Sequence, residues 1–321
     1  MHRLSLLLAV GVILSVVVAY SFMRQPQPQG PASRQDTSSG PAHAPLAREQ
    51  AGSSTAPLAA GPAEPHLYGF GKYRQILVEF VNDEGLVDYG RLKRQRSQLK
   101  EVLNDLAQLA TAQYRDWSRG DQIAFWINAY NIQALKIITD NYPIQGSRWL
   151  VPIYGRDSIR HIKGLKTEYK FLVMDEQFTL AELENHIFHQ QFQDPRVFLA
   201  LTTMSLSGPA LRTEPYCGNQ LNEQLNDQAR RFLSDPKGLQ VDREKAQVWL
   251  SAMFQATWHG EDFIRDYGIN RKFKDQPPYL RAVMNFACPF LGDVDRDFLE
   301  VGNYSVGFIA FDWTVNDDKR R

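Results

Sequence analysis

Apolar positions along this chain change their spacing several times, and each change marks an element. Between Tyr73 and Asn82, Ile76, Leu77, Phe80 and Val81 recur at helical spacing, and Asp83-Glu84-Gly85 ends the run. Leu92, Leu99, Leu103, Leu106 and Leu109 predict a second helix over Arg91 to Leu109, with Arg91, Lys93, Arg94, Arg96 and Lys100 on its solvated face. Asp121 to Tyr142 predicts a third, strongly apolar around Phe125, Trp126, Ile127, Leu135 and Ile138 and stopped by Pro143. The period then shortens: 170–174 and 177–179 flank Asp175-Glu176 as a hairpin, and Thr179 with Glu182 forms a capping box for a helix from Leu180. Arg196 to Thr202 has the length of a strand, Leu221 to Leu233 is helical, and 239–241 with 246–250 predicts a second hairpin. Ser251 to Phe263 returns to helix, and Tyr304 to Val315 alternates as a strand. Helices outnumber short strands that read as antiparallel. Without a βαβ series or an internal repeat, the predicted fold class is α+β.

The first 66 residues follow neither period. Leu4 to Met23 carries no charge over twenty residues between Arg3 and Arg24, the length of a membrane-spanning helix. A cleaved signal peptide cut near Ala19 is the alternative reading of the same run. Residues 25–66 hold eight of the 17 prolines and almost no large apolar side chain, so they read as a Pro/Ala/Ser-rich linker. The expected organisation is an anchor or signal over 1–24, a disordered linker over 25–66, and one globular domain over 67–321. That domain is expected at the inner membrane facing the periplasm, or secreted into the periplasm if the signal is removed.

Charge narrows the partners. Lys+Arg and Asp+Glu number 36 each in the 321 residues. Setting aside Arg3, Arg24, Arg34 and Arg48, and Asp36, Glu49 and Glu64, leaves 32 against 33 beyond residue 66. The domain is therefore neutral in its own right, which excludes the basic surface that nucleic-acid binding requires. Only the stretch from Arg156 to Lys170 stands out in charge: Arg156, Arg160, His161, Lys163, Lys166 and Lys170, opposed by Asp157 and Glu168, suit either an anionic partner such as a lipid headgroup or a solvated loop. Neither glycine-rich phosphate loop occurs. With 2 cysteines and no Cys-x-x-Cys, a cysteine-based zinc domain is excluded, while Cys217 and Cys288 are open to pairing outside the cytoplasm or to separate roles, Cys288 in the core.

Candidate chemistry concentrates in two places. Glu182, His186 and His189 share one helix face, but the spacing is not His-Glu-x-x-His, so no metal site and no cofactor are predicted. His259, in Trp258-His259-Gly260-Glu261-Asp262, is ambiguous. The stretch Thr203-Met-Ser205-Leu-Ser207-Gly-Pro209 sets hydroxyls at the end of an apolar run, where a turn exposes a nucleophile and backbone donors. Ser205, or Thr203, as nucleophile, His186 as base and Glu184 as its orienter would make a hydrolase or acyltransferase; an ordinary turn is the competing reading. Asn128 and Asn131 lie one helical turn apart in apolar sequence. Their amides require partners, either a pinned loop such as that through Ser205 or a ligand pocket with Arg212 and Glu184.

The helix Ala124-Phe-Trp-Ile-Asn-Ala-Tyr-Asn131, running on to Tyr142-Pro143, resembles the signature of the bacterial and plant family called domain of unknown function 547. Leu180-Ala-Glu-Leu-Glu184, Asp194-Pro-Arg196, Ala200-Leu201, Leu211-Arg212, Tyr216 and Phe311-Asp-Trp-Thr-Val-Asn316 follow in the family's order. The resemblance spans roughly residues 70–316. It implies a Cys-x-Ser-x-x-Cys-Pro element where this chain has Thr203, Ser205, Gly208 and Pro209, so whatever the two thiols do in relatives is lost here. The resemblance supplies no reaction. The expected function is therefore a membrane-tethered extracytoplasmic binding or accessory module for a small molecule or peptide that has lost cysteine chemistry, with the Ser205–His186 hydrolase as the alternative.

Overall fold

A computed structural model of the protein describes residues 70–269 and 272–319. The expected anchor or signal over 1–24 and the linker over 25–66 lie outside them. Among the described residues no helix is long and apolar enough to cross a membrane.

The α+β class is what the chain adopts. Helices α1 (Phe70–Phe80), α2 (Tyr89–Arg94), α3 (Ser97–Gln108) and α4 (Thr111–Arg115) precede the long α5 (Arg119–Asn141). The helix predicted over Arg91 to Leu109 is thus two helices. Asp88 caps α2 by accepting from the Arg91 amide, and the Gln95 amide closes back onto the Arg91 and Leu92 carbonyls, which ends the helix two residues short of α3. Ser118 caps α5, accepting from the Asp121 amide, and places Asp121 in the first turn, where the helix dipole favours negative charge. Every residue of α5 from Ile123 to Leu135 is buried, so the helix is an axis with core on all sides.

Around that axis sit α1, α2 and α3; after the short α6 (Val151–Tyr154), which buries no residue, comes the antiparallel hairpin β1 (Phe171–Val173) and β2 (Glu176–Phe178), in register Phe171 opposite Phe178. The capping box forms: Thr179 accepts from the Glu182 amide, and the Glu182 carboxylate accepts from the Thr179 amide. It starts α7 (Leu180–Glu182), which at once widens into a π-helix over Leu183–Phe192.

Residues 196–202 are not a strand. Val197–Ala200 form a short helix, α8, and only from Leu201 does the chain extend. Val197, Phe198, Leu199 and Ala200 are all buried, and an unbroken apolar run carries no period from which to choose between strand and helix. Helix α9 (Leu221–Ser234) follows as predicted, and β3 (Leu239–Asp242) pairs antiparallel with β4 (Gln247–Ser251). The helix predicted over Ser251 to Phe263 is replaced by two tight 3-10 turns, Ala252–Phe254 and Gly260–Phe263. Between them the chain folds back so closely that a Cβ on Gly260 would lie 2.3 Å from the Phe254 carbonyl oxygen, a fold-back no continuous helix permits.

Helices α10 (Ile264–Tyr267), α11 (Pro278–Ala287) and α12 (Asp293–Val301) then carry the chain to β5 (Ser305–Ile309). Strand β5 pairs parallel with β4, contrary to the all-antiparallel expectation, because these helices return the chain to the same end of the sheet. Beyond Ile309 the predicted strand breaks into isolated bridges, Thr314 with Ser158 and Val315 with Ser205.

Two apolar clusters result. One surrounds α5; the other joins α11 to the β3-β4-β5 sheet and takes in Leu199, Phe232, Phe254 and Phe263. The first cluster is fastened to its surroundings by two carboxamides. Asn131 donates to the Ala200 carbonyl at 3.0 Å and accepts from the Thr202 amide at 2.8 Å. Asn128 does the same with a single residue, its Nδ2 on the Tyr216 carbonyl and its Oδ1 on the Tyr216 amide, both at 2.9 Å. Each side chain thereby completes the backbone pairing of a segment that has no strand partner there.

Asn131→Ala leaves a buried carbonyl and a buried amide without partners, and the expected cost is about 2–5 kcal/mol of unfolding free energy. Denaturant unfolding measures it; a loss below about 0.5 kcal/mol would mean that the two backbone groups have found other partners.

Candidate functional site

The segment pinned by Asn131 and Asn128 contains the predicted nucleophile. Thr202 Oγ1 accepts from the Met204 amide at 3.1 Å, and Met204 takes a left-handed φ of 59° that non-glycine residues seldom adopt. The next residues are zipped onto the C-terminal segment: the Leu206 amide donates to the Thr314 carbonyl at 2.8 Å, the Asn316 amide to the Met204 carbonyl at 3.2 Å, and the Asp312 amide to Ser207 Oγ at 2.8 Å. Inside this loop Ser205 is 4% exposed, and its Oγ lies 2.9 Å from Thr203 Oγ1. Either hydroxyl serves as donor to the other.

The proposed partners of Ser205 are elsewhere. His186 is exposed and faces Gln190, Nδ1 to Oε1 3.4 Å. The Glu184 carboxylate accepts from the Tyr130 hydroxyl at 2.6 Å and from Lys166 Nζ at 2.7 Å. Among the described residues no hydrogen bond joins Ser205 to His186 or His186 to Glu184, so the three predicted catalytic groups are not brought together. Successive positions on the wide π-helix explain the separation, since Glu184 turns inward against α5 while His186 turns to solvent. Arg212 likewise reaches no pocket with the asparagines: its guanidinium pairs with Asp227 and Glu214, at 2.5 Å and 2.7 Å, and lies over the Tyr216 ring. Asn128 and Asn131 therefore fasten backbone, while Arg212 is held by two carboxylates.

The cysteines do not pair. Cys217 is half-buried with its thiol 3.6 Å from the Pro215 carbonyl, and Cys288 is buried in the second cluster. Burial pushes the Cys288 thiol up to about 11, so it stays protonated and inert at neutral pH.

The titratable groups that do converge lie on the seam between the two clusters. His189, from the π-helix, meets Asp262 across 73 residues of chain, Nδ1 to Oδ1 2.9 Å. His259 reaches the other oxygen of the same carboxylate, Nδ1 to Oδ2 3.2 Å. Phe198 stacks on the His259 ring with centroids 3.9 Å apart and touches the His189 ring at 4.6 Å. Trp258 stacks on Trp313, 5.6 Å and 13° between planes, and so closes the seam from the other side. Burial holds the His259 imidazole below its usual value, outweighing the Asp262 hydrogen bond that opposes this. Burial disfavours the ionised Asp262, but hydrogen bonds from His189 and His259 prevail and keep that carboxyl below the usual range. Glu184 behaves alike: the desolvation is overcome chiefly by the charge of Lys166, then by His259 and the hydrogen bonds from Lys166 and Tyr130.

Sequence reasoning found His189 and His259 one at a time but not their junction. The signal available was His259-x-x-Asp262, an i,i+3 pair, and only the fold supplies the third member from the π-helix.

Residues 114–233 match the model of the family described as protein of unknown function, DUF547. The match covers 120 of the 321 residues, and over that segment the chain is similar to the family. The matched segment runs from α4 through α9, and so takes in α5 with both asparagines, Glu184, His189 and the Thr203–Pro209 loop, while His259 and Asp262 fall outside it. Neither the curated proteins nor the solved structures provide a match.

Within the matched segment the two positions where the resemblance implies cysteines face each other. A Cβ placed on Gly208 would lie 3.0 Å from Thr203 Cβ and 1.8 Å from Thr203 Oγ1, so the threonine hydroxyl occupies the space a side chain at 208 would need. Disulfides span about 3.5–4.5 Å between Cβ atoms, a separation reached here by a small outward shift of the loop. The double variant Thr203→Cys, Gly208→Cys is therefore expected to oxidise to an intramolecular disulfide, with Cys217 and Cys288 still reduced. Thiol titration of the air-oxidised, denatured protein should count about two free thiols; a count of four would show that the loop holds the positions apart.

Proposed function

We propose that this protein is a binding or accessory module for a small molecule or peptide, held at the periplasmic face of the inner membrane by its first 24 residues, and that it is not a serine hydrolase. The observation that carries this reading is the state of Ser205: a hydroxyl sealed from solvent, satisfied by Thr203 and without an imidazole in reach. A nucleophile needs a base within hydrogen-bonding distance and access to substrate, and both are wanting. Thr203 and Gly208, at the positions where the resemblance implies thiols, support the loss of cysteine chemistry. The tether is supported by the uncharged run Leu4 to Met23 and by the low-complexity sequence that separates it from the fold.

A fluorophosphonate probe tests the first half of the reading. The expected result is no labelling that Ser205→Ala abolishes; covalent labelling mapped to Ser205 would restore the hydrolase. Mass spectrometry of the N-terminal peptide from the membrane fraction tests the second half. Retention of the Leu4 to Met23 segment there supports the tether, and a mature chain beginning just after Ala19 in the soluble periplasmic fraction refutes it.

A further inference from the structure

We propose that His189, His259 and Asp262 form a binding site for one divalent transition-metal ion of the zinc class. The nitrogen and oxygen atoms these three residues offer all lie within 4.8 Å of one another. Two of the three separations, 2.9 Å from His189 Nδ1 to Asp262 Oδ1 and 3.2 Å from His259 Nδ1 to Asp262 Oδ2, already approach the roughly 3.3 Å between donors around tetrahedral zinc with bonds of about 2.0–2.1 Å. The third separation, between the two imidazoles, falls within the same 4.8 Å, and the His189 side chain is 31% exposed.

The donor set points to the class of ion. Two imidazoles and one carboxylate suit zinc, cobalt or iron(II), whereas magnesium and calcium demand oxygen ligands. Binding through Nδ1 displaces the proton that each ring donates to the Asp262 carboxylate; that proton passes to Nε2 or to solvent, and the ion takes its place between the rings and the carboxylate. The surroundings supply what an ion at that point needs. Phe198 covers the His259 ring and limits water on one side, while the partial exposure of His189 and Asp262 leaves an approach on the other. The Arg265 guanidinium, the cation nearest in sequence, is engaged by Asp266 and Gln193. Three protein ligands leave a coordination position open for water or for an anionic group of a ligand, as at catalytic rather than structural zinc sites.

The site lies on two elements that packing holds independently, the π-helix and the Gly260–Phe263 turn, so it does not depend on an ion for its existence. The inference is independent of the binding-module reading, since neither the Ser205 loop nor the tether enters it.

The test is a titration of the chelator-stripped full-length protein, in detergent, with Co2+ followed by competition with Zn2+. One equivalent of Co2+ should develop the visible d–d bands of a four- or five-coordinate ion, Zn2+ should abolish them, and Mg2+ should not. His189→Ala should weaken binding by about 100-fold or more while the metal-free protein melts within a few degrees of the parent. Asp262→Asn should do the same, and His186→Ala, which removes the neighbouring exposed imidazole, should leave affinity unchanged. The absence of d–d bands, or binding that His189→Ala leaves intact, overturns the proposal; because His189 is partly exposed and outside both apolar clusters, its variant serves even if Asp262→Asn does not fold.

Discussion

Two carboxamides one turn apart on a buried helix hold the rest of this structure in place. Helix α5 has core on every side, so polar atoms on it cannot be left to water; Asn128 and Asn131 resolve that by acting as strand edges, each presenting a donor and an acceptor to passing backbone. Tyr216 and the Ala200–Thr202 pair are the segments so fixed, and the chain between them is the loop that carries Thr203, Ser205 and Ser207. The cost of burying an amide is offset only when all its bonds are made, which is why these two positions specify geometry so strictly. A glutamine would carry the same groups one methylene too far out, and an aspartate would lose the donor.

That strictness also settles what the loop can do. With its backbone tied to α5 on one side and to residues 312–316 on the other, the loop has no freedom to turn Ser205 outward. Its hydroxyls are spent on each other and on the Asp312 amide. Polar character migrates instead to the seam between the two apolar clusters, where each cluster contributes one face: His189 from the side of α5, His259 and Asp262 from the side of α11. Buried groups that share a carboxylate across such a seam resist sliding of one half over the other, so the same contacts that gather the imidazoles also set the relative placement of the two cores.

Much of the fold was legible because its signals are local. The capping box at Thr179 and Glu182, the stop at Pro143 and the helix from Leu221 each rest on neighbouring residues, and each is present; the hairpin forms too, turning at Met174-Asp175, one residue before the expected Asp175-Glu176. What was misread needs the tertiary structure. Val197–Ala200 is apolar on every side and has no period; the parallel pairing of β4 with β5 depends on helices placed between them; the turn at Gly260 is forced by the Phe254 carbonyl rather than by its own sequence. The candidate site divides along the same line. That Asn128 and Asn131 must be paired followed from residue type alone, whereas the choice of His186 over His189 depended on knowing which face of a π-helix turns inward, and no helical wheel of regular pitch gives that.

The Thr203–Pro209 loop shows how two positions where the resemblance implies thiols can be filled without them. In the resemblance, positions 203 and 208 carry thiols; here a threonine and a glycine meet at the same place, and the gap is filled by the threonine hydroxyl itself. A residue larger than glycine at 208 would strike that hydroxyl, and loss of the hydroxyl would leave Ser205 without its partner, so the two substitutions and the retained serine form one packing solution. Such a solution supplies shape without a thiol in the loop, so no disulfide can form or break there. The cysteines that remain reinforce the point, since Cys288 is buried and protonated and Cys217 rests against a carbonyl. At the seam, by contrast, carboxyls held below their usual range meet an imidazole whose charged form burial disfavours, and solvent still reaches His189 and Asp262.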